Sequence, residues 1–187
     1  IEQTPSWADI DRDGDLDVYI ANWGWDPLAP PPPTRDRLLF QTEDGFVDRI
    51  DDFLPQDLDG AGYVGAWTDI DADDDLDWII VQEADPSGNG ANVFLRNEGG
   101  IGDDVDFQIV DRGIEVPGRA MGIGLGDYDL DGDLDAHVTD IGPTKLFENR
   151  GDLFTDVSTA VAGALAPPSP EGSWSTFFVD VDNDASL

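Results

Sequence analysis

Asp9-Ile10-Asp11-Arg12-Asp13-Gly14-Asp15-Leu16-Asp17 sets an aspartate at every second place of a nine-residue stretch. The pattern returns as Asp69-Ile70-Asp71-Ala72-Asp73-Asp74-Asp75-Leu76-Asp77 and as Asp127-Tyr128-Asp129-Leu130-Asp131-Gly132-Asp133-Leu134-Asp135. A fourth ladder runs Asp180-Val181-Asp182-Asn183-Asp184-Ala185-Ser186-Leu187 and has no ninth place. Starts at 9, 69, 127 and 180 are 60, 58 and 53 residues apart. A period of that size marks a repeat architecture in which each repeat is one supersecondary unit.

Around each ladder the same order of segments recurs. A short apolar approach precedes it: Ser6 to Ala8, Gly65 to Thr68, Gly122 to Leu125, and Ser173 to Val179. A β-branched and aromatic run follows it: Val18 to Ala21, Trp78 to Val81, Ala136 to Thr139. Beyond a variable loop come Arg37 to Phe40, Asn92 to Leu95 and Lys145 to Phe147, then a Gly- and Asp-bearing turn. The runs Phe46 to Ile50, Phe107 to Val110 and Leu153 to Val157 close each unit. These runs have strand length and no helical period, and the turns accept positive φ cheaply, as a hairpin needs. The expectation is an all-β chain of β-propeller blades, four short antiparallel strands per blade with the ladder between the first two. About three complete repeats (1–60, 61–119, 120–172) and an incomplete fourth (173–187) fill the sequence.

Composition narrows the function. Of 187 residues 42 are acidic and 9 basic, a formal net charge of −33. Phosphate binding needs clustered Lys and Arg, so nucleic acid is not expected as a partner, and no apolar run is long enough for membrane insertion. The 40% hydrophobic content and 18 aromatic residues argue against disorder. Three divalent ions would offset only six of the negative charges, so the acidity has a further source. Lysine occurs once, at Lys145; an acid-rich, lysine-poor surface suits high salt, where screening weakens self-repulsion. Cysteine is absent, so bound ions rather than disulfides are the expected staples.

The ladder itself reads as a metal loop. Calcium takes six to eight hard oxygens, and alternate side chains of a curling loop converge on one centre. Asp9, Asp11, Asp13 and Asp17 would supply carboxylates, with Asp15 giving its main-chain oxygen. Asp69, Asp71, Asp73 and Asp77, with Asp75, repeat that set, as do Asp127, Asp129, Asp131 and Asp135, with Asp133. Oxygen-only ligands disfavour zinc and copper, and four carboxylates favour calcium over magnesium. An EF-hand would need Glu at the twelfth place and flanking helices; that place holds Ile20, Ile80 and Val138. Gly14 and Gly132 make the sharp turn at the sixth place, where the second ladder has Asp74 and is expected to bind more weakly. Asp180, Asp182 and Asp184 make an incomplete fourth site. About three complete Ca²⁺ sites are expected.

With its spacing near sixty residues and the hairpin Asn149-Arg150-Gly151-Asp152-Leu153-Phe154, the Asp-x-Asp-x-Asp-Gly-x-x-Asp ladder resembles the FG-GAP/VCBS repeat family, which includes the integrin α-subunit propeller. The resemblance covers essentially the whole chain. It implies calcium-binding blades, usually seven to a ring, in a secreted or cell-surface protein. Three repeats are too few to close such a ring. The remaining blades are expected from further sequence or another chain, unless the blades stack in an open array.

The function expected is an acidic, non-enzymatic adhesion or binding module with structural calcium, meeting a protein or glycan ligand through its loops. Two alternatives stand beside it: the scaffold of a polysaccharide-active enzyme, and a subunit of a surface assembly or filament that self-associates. Trp23 and Trp25 flank Gly24 in a variable loop that runs into Pro30 to Pro33, and suit either ligand stacking or packing. Arg150-Gly151-Asp152 spells an integrin-recognition tripeptide, but falls where the repeat demands a Gly-Asp turn. His137, the single histidine, takes a strand position and is read as a packing residue, which leaves a nucleophilic triad little to build on.

Overall fold

The computed structural model describes residues 2–23, 35–54, 60–84, 90–100, 102–161, 172–180 and 182. Trp25, Pro30 to Pro33, the 166–170 loop and Asp184 lie outside them. The fold is all-β. Strands β1 (Glu2–Ala8), β2 (Asp17–Trp23), β3 (Arg37–Thr42) and β4 (Gly45–Asp48) form the first sheet. The second holds β5 (Gly60–Thr68), β6 (Asp77–Ala84), β7 (Val93–Asn97) and β8 (Phe107–Ile109). The third holds β9 (Ala120–Gly126), β10 (Asp135–Asp140), β11 (Lys145–Asn149) and β12 (Phe154–Asp156). Each sheet is an antiparallel meander in chain order, with the ladder joining its first two strands. These are the four-stranded blades expected from the period.

Two departures are local. Ile50, read as the end of a strand, opens a one-turn helix α1 (Ile50–Phe53) and is buried against the first core. Ser173 to Val179 joins no sheet among the described residues. Residues 172–180 instead lie across β9. Among the described residues no helix is long and apolar enough to cross a membrane.

The sheets stack face to face, and the middle one shows why. Side chains along a strand alternate between faces, so a sheet covered on both sides must be apolar at successive positions. In β6, Trp78 and Ile80 enter a core shared with the first sheet's Tyr19, Ala21, Leu38 and Phe40. Their neighbours Ile79 and Val81 enter a second core with Ala136, Val138, Phe147 and Phe154 of the third sheet. β7 divides likewise, Leu95 to the first core and Phe94 to the second. The ladders contribute too: Ile10 drops into the first core and Ile70 into the second.

Aromatic packing concentrates on Trp78, which is fully buried. Trp67 stacks on it at 5.0 Å between ring centroids, and Tyr19 meets it edge-on at 4.7 Å. Gly65 makes room for this cluster, because a Cβ there would sit 2.6 Å from Tyr19 Cδ1 and 2.7 Å from Trp78 Nε1. Replacing Trp78 with Ala is expected to cost about 3–5 kcal/mol, the usual range for losing a large buried aromatic. Urea denaturation measures this; a loss below about 1 kcal/mol, typical of surface sites, would contradict the packing.

Candidate metal centres

All three ladders fold into the same loop, braced by the carboxylate at the ninth place. Asp17 Oδ2 accepts from Ile10 N at 2.9 Å and its Oδ1 from Gln41 N at 2.9 Å. Asp77 accepts from Ile70 N at 3.1 Å and Asn97 N at 2.9 Å. Asp135 accepts from Tyr128 N at 2.9 Å and Asn149 N at 2.8 Å. Each of these carboxylates therefore ties its loop to both the second and third strands of its blade. All three are buried, where an unmade hydrogen bond is costly.

At the opposite end of the loop the first aspartate holds the turn closed. Asp9 Oδ2 accepts from Gly14 N at 3.2 Å, Asp69 Oδ2 from Asp74 N at 3.1 Å and Asp127 Oδ2 from Gly132 N at 3.0 Å. The aspartate at the fifth place accepts from the amide at the seventh, as Asp13 Oδ1 does from Asp15 N at 2.8 Å, with the same bond in the other loops. Two places per loop take the left-handed backbone. Gly14, Asp74 and Gly132 at the sixth place have φ of 96°, 75° and 102°. Arg12, Ala72 and Leu130 at the fourth place have φ of 56°, 60° and 61°. Each of those three carries the left-handed penalty of a residue with a Cβ, about 1–2 kcal/mol.

This curl gathers the acids. One carboxylate oxygen from each of Asp9, Asp11 and Asp13 lies within 4.8 Å of the other two, and Asp69, Asp71 and Asp73 form the same triad. In the third loop the triad is Asp127, Asp129 and Asp135. Asp15, Asp17, Asp75, Asp77, Asp131 and Asp133 stand outside these groupings, as do Asp180 and Asp182. The side chain of Asp75 is turned to the neighbouring blade, where Arg12 holds it at 2.6 Å.

The residues fit a hard divalent cation on two grounds. The donors are all oxygens, and Asp9 Oδ1 is buried with no hydrogen-bond partner. Electrostatics agrees. Burial, then repulsion from Asp17 and Asp13, raises the Asp11 pKa from 3.8 to about 6. Burial likewise raises Asp77 to about 6, partly opposed by its bonds from Asn97 and Ile70. Asp17, Asp71, Asp129 and Asp135 are raised for the same leading reason.

Several partners escaped the sequence reading. Asn97 and Asn149 donate backbone N–H to the brace, and their side-chain oxygens cap the β7–β8 and β11–β12 turns, accepting from Gly99 N and Gly151 N at 3.1 Å each. The shared Asn-x-Gly spacing was the available signal. Arg12 crosses from one ladder to the next, donating to Asp74 O at 3.1 Å as well as pairing with Asp75, and no local pattern could announce that. Arg150-Gly151-Asp152 forms the β11–β12 turn with Gly151 at φ 79°, and Arg150 pairs with Glu148 at 2.6 Å. His137 packs on residues 172–180, its Nδ1 2.6 Å from Thr176 Oγ1.

Two outcomes follow for the chelator-treated protein. Asp135→Ala leaves two amides without their acceptor and is expected to cost about 2–4 kcal/mol, against less for Asp135→Asn, which keeps one oxygen. Equal losses in denaturant melts would contradict the brace. For pH, a carboxyl whose pKa rises on folding binds its proton more tightly in the folded chain. Stability therefore falls as pH rises from about 4 to about 6, through the window set by Asp11 and Asp77, and stays lower above it. Melting in chelator should be higher at pH 5 than at pH 7.5; the reverse order would contradict the crowding.

No protein-family model matches this chain, and no curated protein matches it either.

Proposed function

We propose that the three ladders are structural calcium sites, and that the chain is a calcium-stabilised binding or adhesion module of a secreted or cell-surface protein. The carrying observation is the threefold recurrence of one loop that presses carboxylates together, each triad within 4.8 Å. Calcium would be held by Asp9, Asp11 and Asp13, by Asp69, Asp71 and Asp73, and by Asp127, Asp129 and Asp135; Asp17 and Asp77 orient the first two loops, while Asp135 both braces the third and joins its triad. It supplies positive charge where carboxylates are crowded and partly buried, and couples folding to the ion. Three clustered carboxylates in a curling loop suit calcium better than the more strongly hydrated magnesium. The likeness of the ladder to FG-GAP/VCBS repeats supports the same ion and an extracellular setting.

Topology supports separate places for ion and ligand. In an antiparallel meander the β1–β2 connection and the β2–β3 connection lie at opposite ends of the sheet. The ladders thus close one end, and the other carries connections of unequal length: 24–36, 85–92 and 141–144. Variation of that kind is where binding loops sit on a rigid scaffold. Calcium then stiffens the blades and does not itself touch the ligand.

Calorimetric titration of calcium into the chelator-stripped chain should show three sites. Saturation near a hundred times Kd should add about 2.7 kcal/mol per site. Asp11→Asn, Asp71→Asn and Asp129→Asn should each remove one site. A melting temperature indifferent to chelator would refute structural calcium, and equal stabilisation by magnesium would refute the choice of ion. A glycan array probed with the loaded chain, and with residues 24–36 replaced by a short Gly-Ser linker, tests the loop reading. Binding that survives the replacement would move the ligand elsewhere.

A further inference from the structure

The three sheets present one recurring face. In the second sheet Trp67, Trp78, Ile80, Leu95 and Phe107 turn toward the first sheet. In the third, Leu125, Ala136, Val138, Phe147 and Phe154 turn toward the second. Strand register fixes the equivalent set in the first sheet. Trp7 pairs with Val18 as Trp67 pairs with Trp78, and Gln41 pairs with Phe46 as Asn97 pairs with Phe107. Trp7, Val18, Ile20, Leu39 and Phe46 are therefore the same face; none joins the two cores between sheets, and Val18 and Leu39 are buried while Trp7 and Phe46 are exposed.

The aromatic pair on that face is already formed. Trp7 on β1 and Phe46 on β4 meet at 6.4 Å between centroids, as Trp67 and Phe107 meet at 6.1 Å in the second sheet. Their surroundings differ. Phe107 is 5% exposed, with Phe53 against its ring at 5.3 Å. Phe46 is 49% and Trp7 54% exposed. A paired aromatic ridge left in water is a marker of an interaction site.

The complement sits at the other end of the stack. Residues 172–180 lie on the third sheet where β5 lies on the first and β9 on the second. Alternate glycines of β9 admit them: a Cβ at Gly122 would be 2.9 Å from Trp174 O, and one at Gly126 2.6 Å from the Phe178 ring. Phe178 stands two places before Asp180, as Trp7 stands two before Asp9. The residues flanking it, Phe177 and Val179, are 77% and 52% exposed. They hold the places of Ser6 and Ala8, and of Ala66 and Thr68, on the side that receives the next sheet. Ala8 is in the first core and Ala66 packs on the second.

We propose that the Trp7–Phe46 face of one copy docks on Phe177 and Val179 of a second copy, so that the chain associates head to tail. The occupant is a second copy because both halves of the contact are on this one chain, and because the contact continues the two sheet-to-sheet interfaces inside it. Such an interface is heterologous: each copy keeps one free face of each kind, and growth continues until a ring closes or a filament forms. With a net charge of −33 per copy, repulsion opposes association and salt relieves it. Docking therefore strengthens with ionic strength, the reverse of an interface held by opposite charges. The proposal does not rest on which ion the ladders hold.

Sedimentation velocity on the calcium-supplemented chain tests it, alone and with Phe46→Asp and Phe177→Asp. The wild type should assemble with increasing concentration, more so in high salt. Each variant alone should be monomeric, with self-association weakened more than tenfold, since every contact uses both faces. An equimolar mixture should form a dimer and nothing larger, because each variant keeps the face the other lacks. Both side chains are exposed, and circular dichroism checks that the variants fold; Trp7→Ser replaces Phe46→Asp if that one does not. A wild type monomeric at all concentrations and salts, a single variant that assembles normally, or a mixture that stays monomeric would each overturn the proposal.

Discussion

A carboxylate with both oxygens committed to backbone amides is the joint on which each blade turns. Asp17, Asp77 and Asp135 open their second strands, accept from the second residue of their own ladders, and accept again from the third strand. Three segments are located by one side chain. The loop between the first two strands cannot then wander, and its remaining acids are carried inward whether or not they repel one another. Burial first, and that repulsion second, raise the pKa of Asp11 to about 6, and burial takes Asp77 to about the same value. The loop is thus stable in shape but strained in charge, which is the condition under which a bound cation contributes most to a fold.

The same joint sets the stacking. Because the ninth place is held inward, the next residue, Trp78 or Ala136, faces the preceding sheet, Val18 takes the matching face of the first, and alternation assigns every position after it. A one-residue slip would send Trp78 and Ile80 to the wrong core, so register is specified twice in the middle sheet, once by each neighbour. Close approach does the rest. Gly65 admits Tyr19 and Trp78, and the glycines of β9 admit residues 172–180.

What could be read from the residues divides along range. The ladder period, the strand runs and the Gly-bearing turns are local and repeated, and they delivered the blades with the right order and the right loop between strands. Left-handed Asp74 was also legible, because Gly14 and Gly132 mark its place. The fourth ladder position was not, since Arg12, Ala72 and Leu130 share no property except where the loop puts them. Arg12 reaching Asp75, 63 residues away, needed two blades side by side. Ser173 to Val179 has the apolar pattern of a first strand and takes a first strand's place on β9. It lacks only a sheet ladder among the described residues, which a local pattern cannot supply. Ile50 failed differently: burial under the first sheet drew it into a turn of helix despite a strand-forming side chain.

The charge surplus is structural in its distribution as well as its size. Every one of the nine cations is engaged. Arg12, Arg35, Arg37, Arg49, Arg96, Arg150 and Lys145 pair with carboxylates. Arg112 and Arg119 donate to the carbonyls of Gly151 and Ile141. Arginine predominates where a planar fork can reach two acceptors, as Arg12 does between Asp74 and Asp75. With the cations committed and the acids outnumbering them 42 to 9, neutralisation of the remainder has to come from outside the chain. At the ladders, where carboxylates are close and fixed, a divalent ion would answer that need. Elsewhere the acids are spread over the surface, and only the ionic atmosphere is available to screen them. The charge crowding is thus of two kinds, one specific to three loops and one general to the whole surface. Ionic screening acts on the second throughout, while the first calls for a charge held in place.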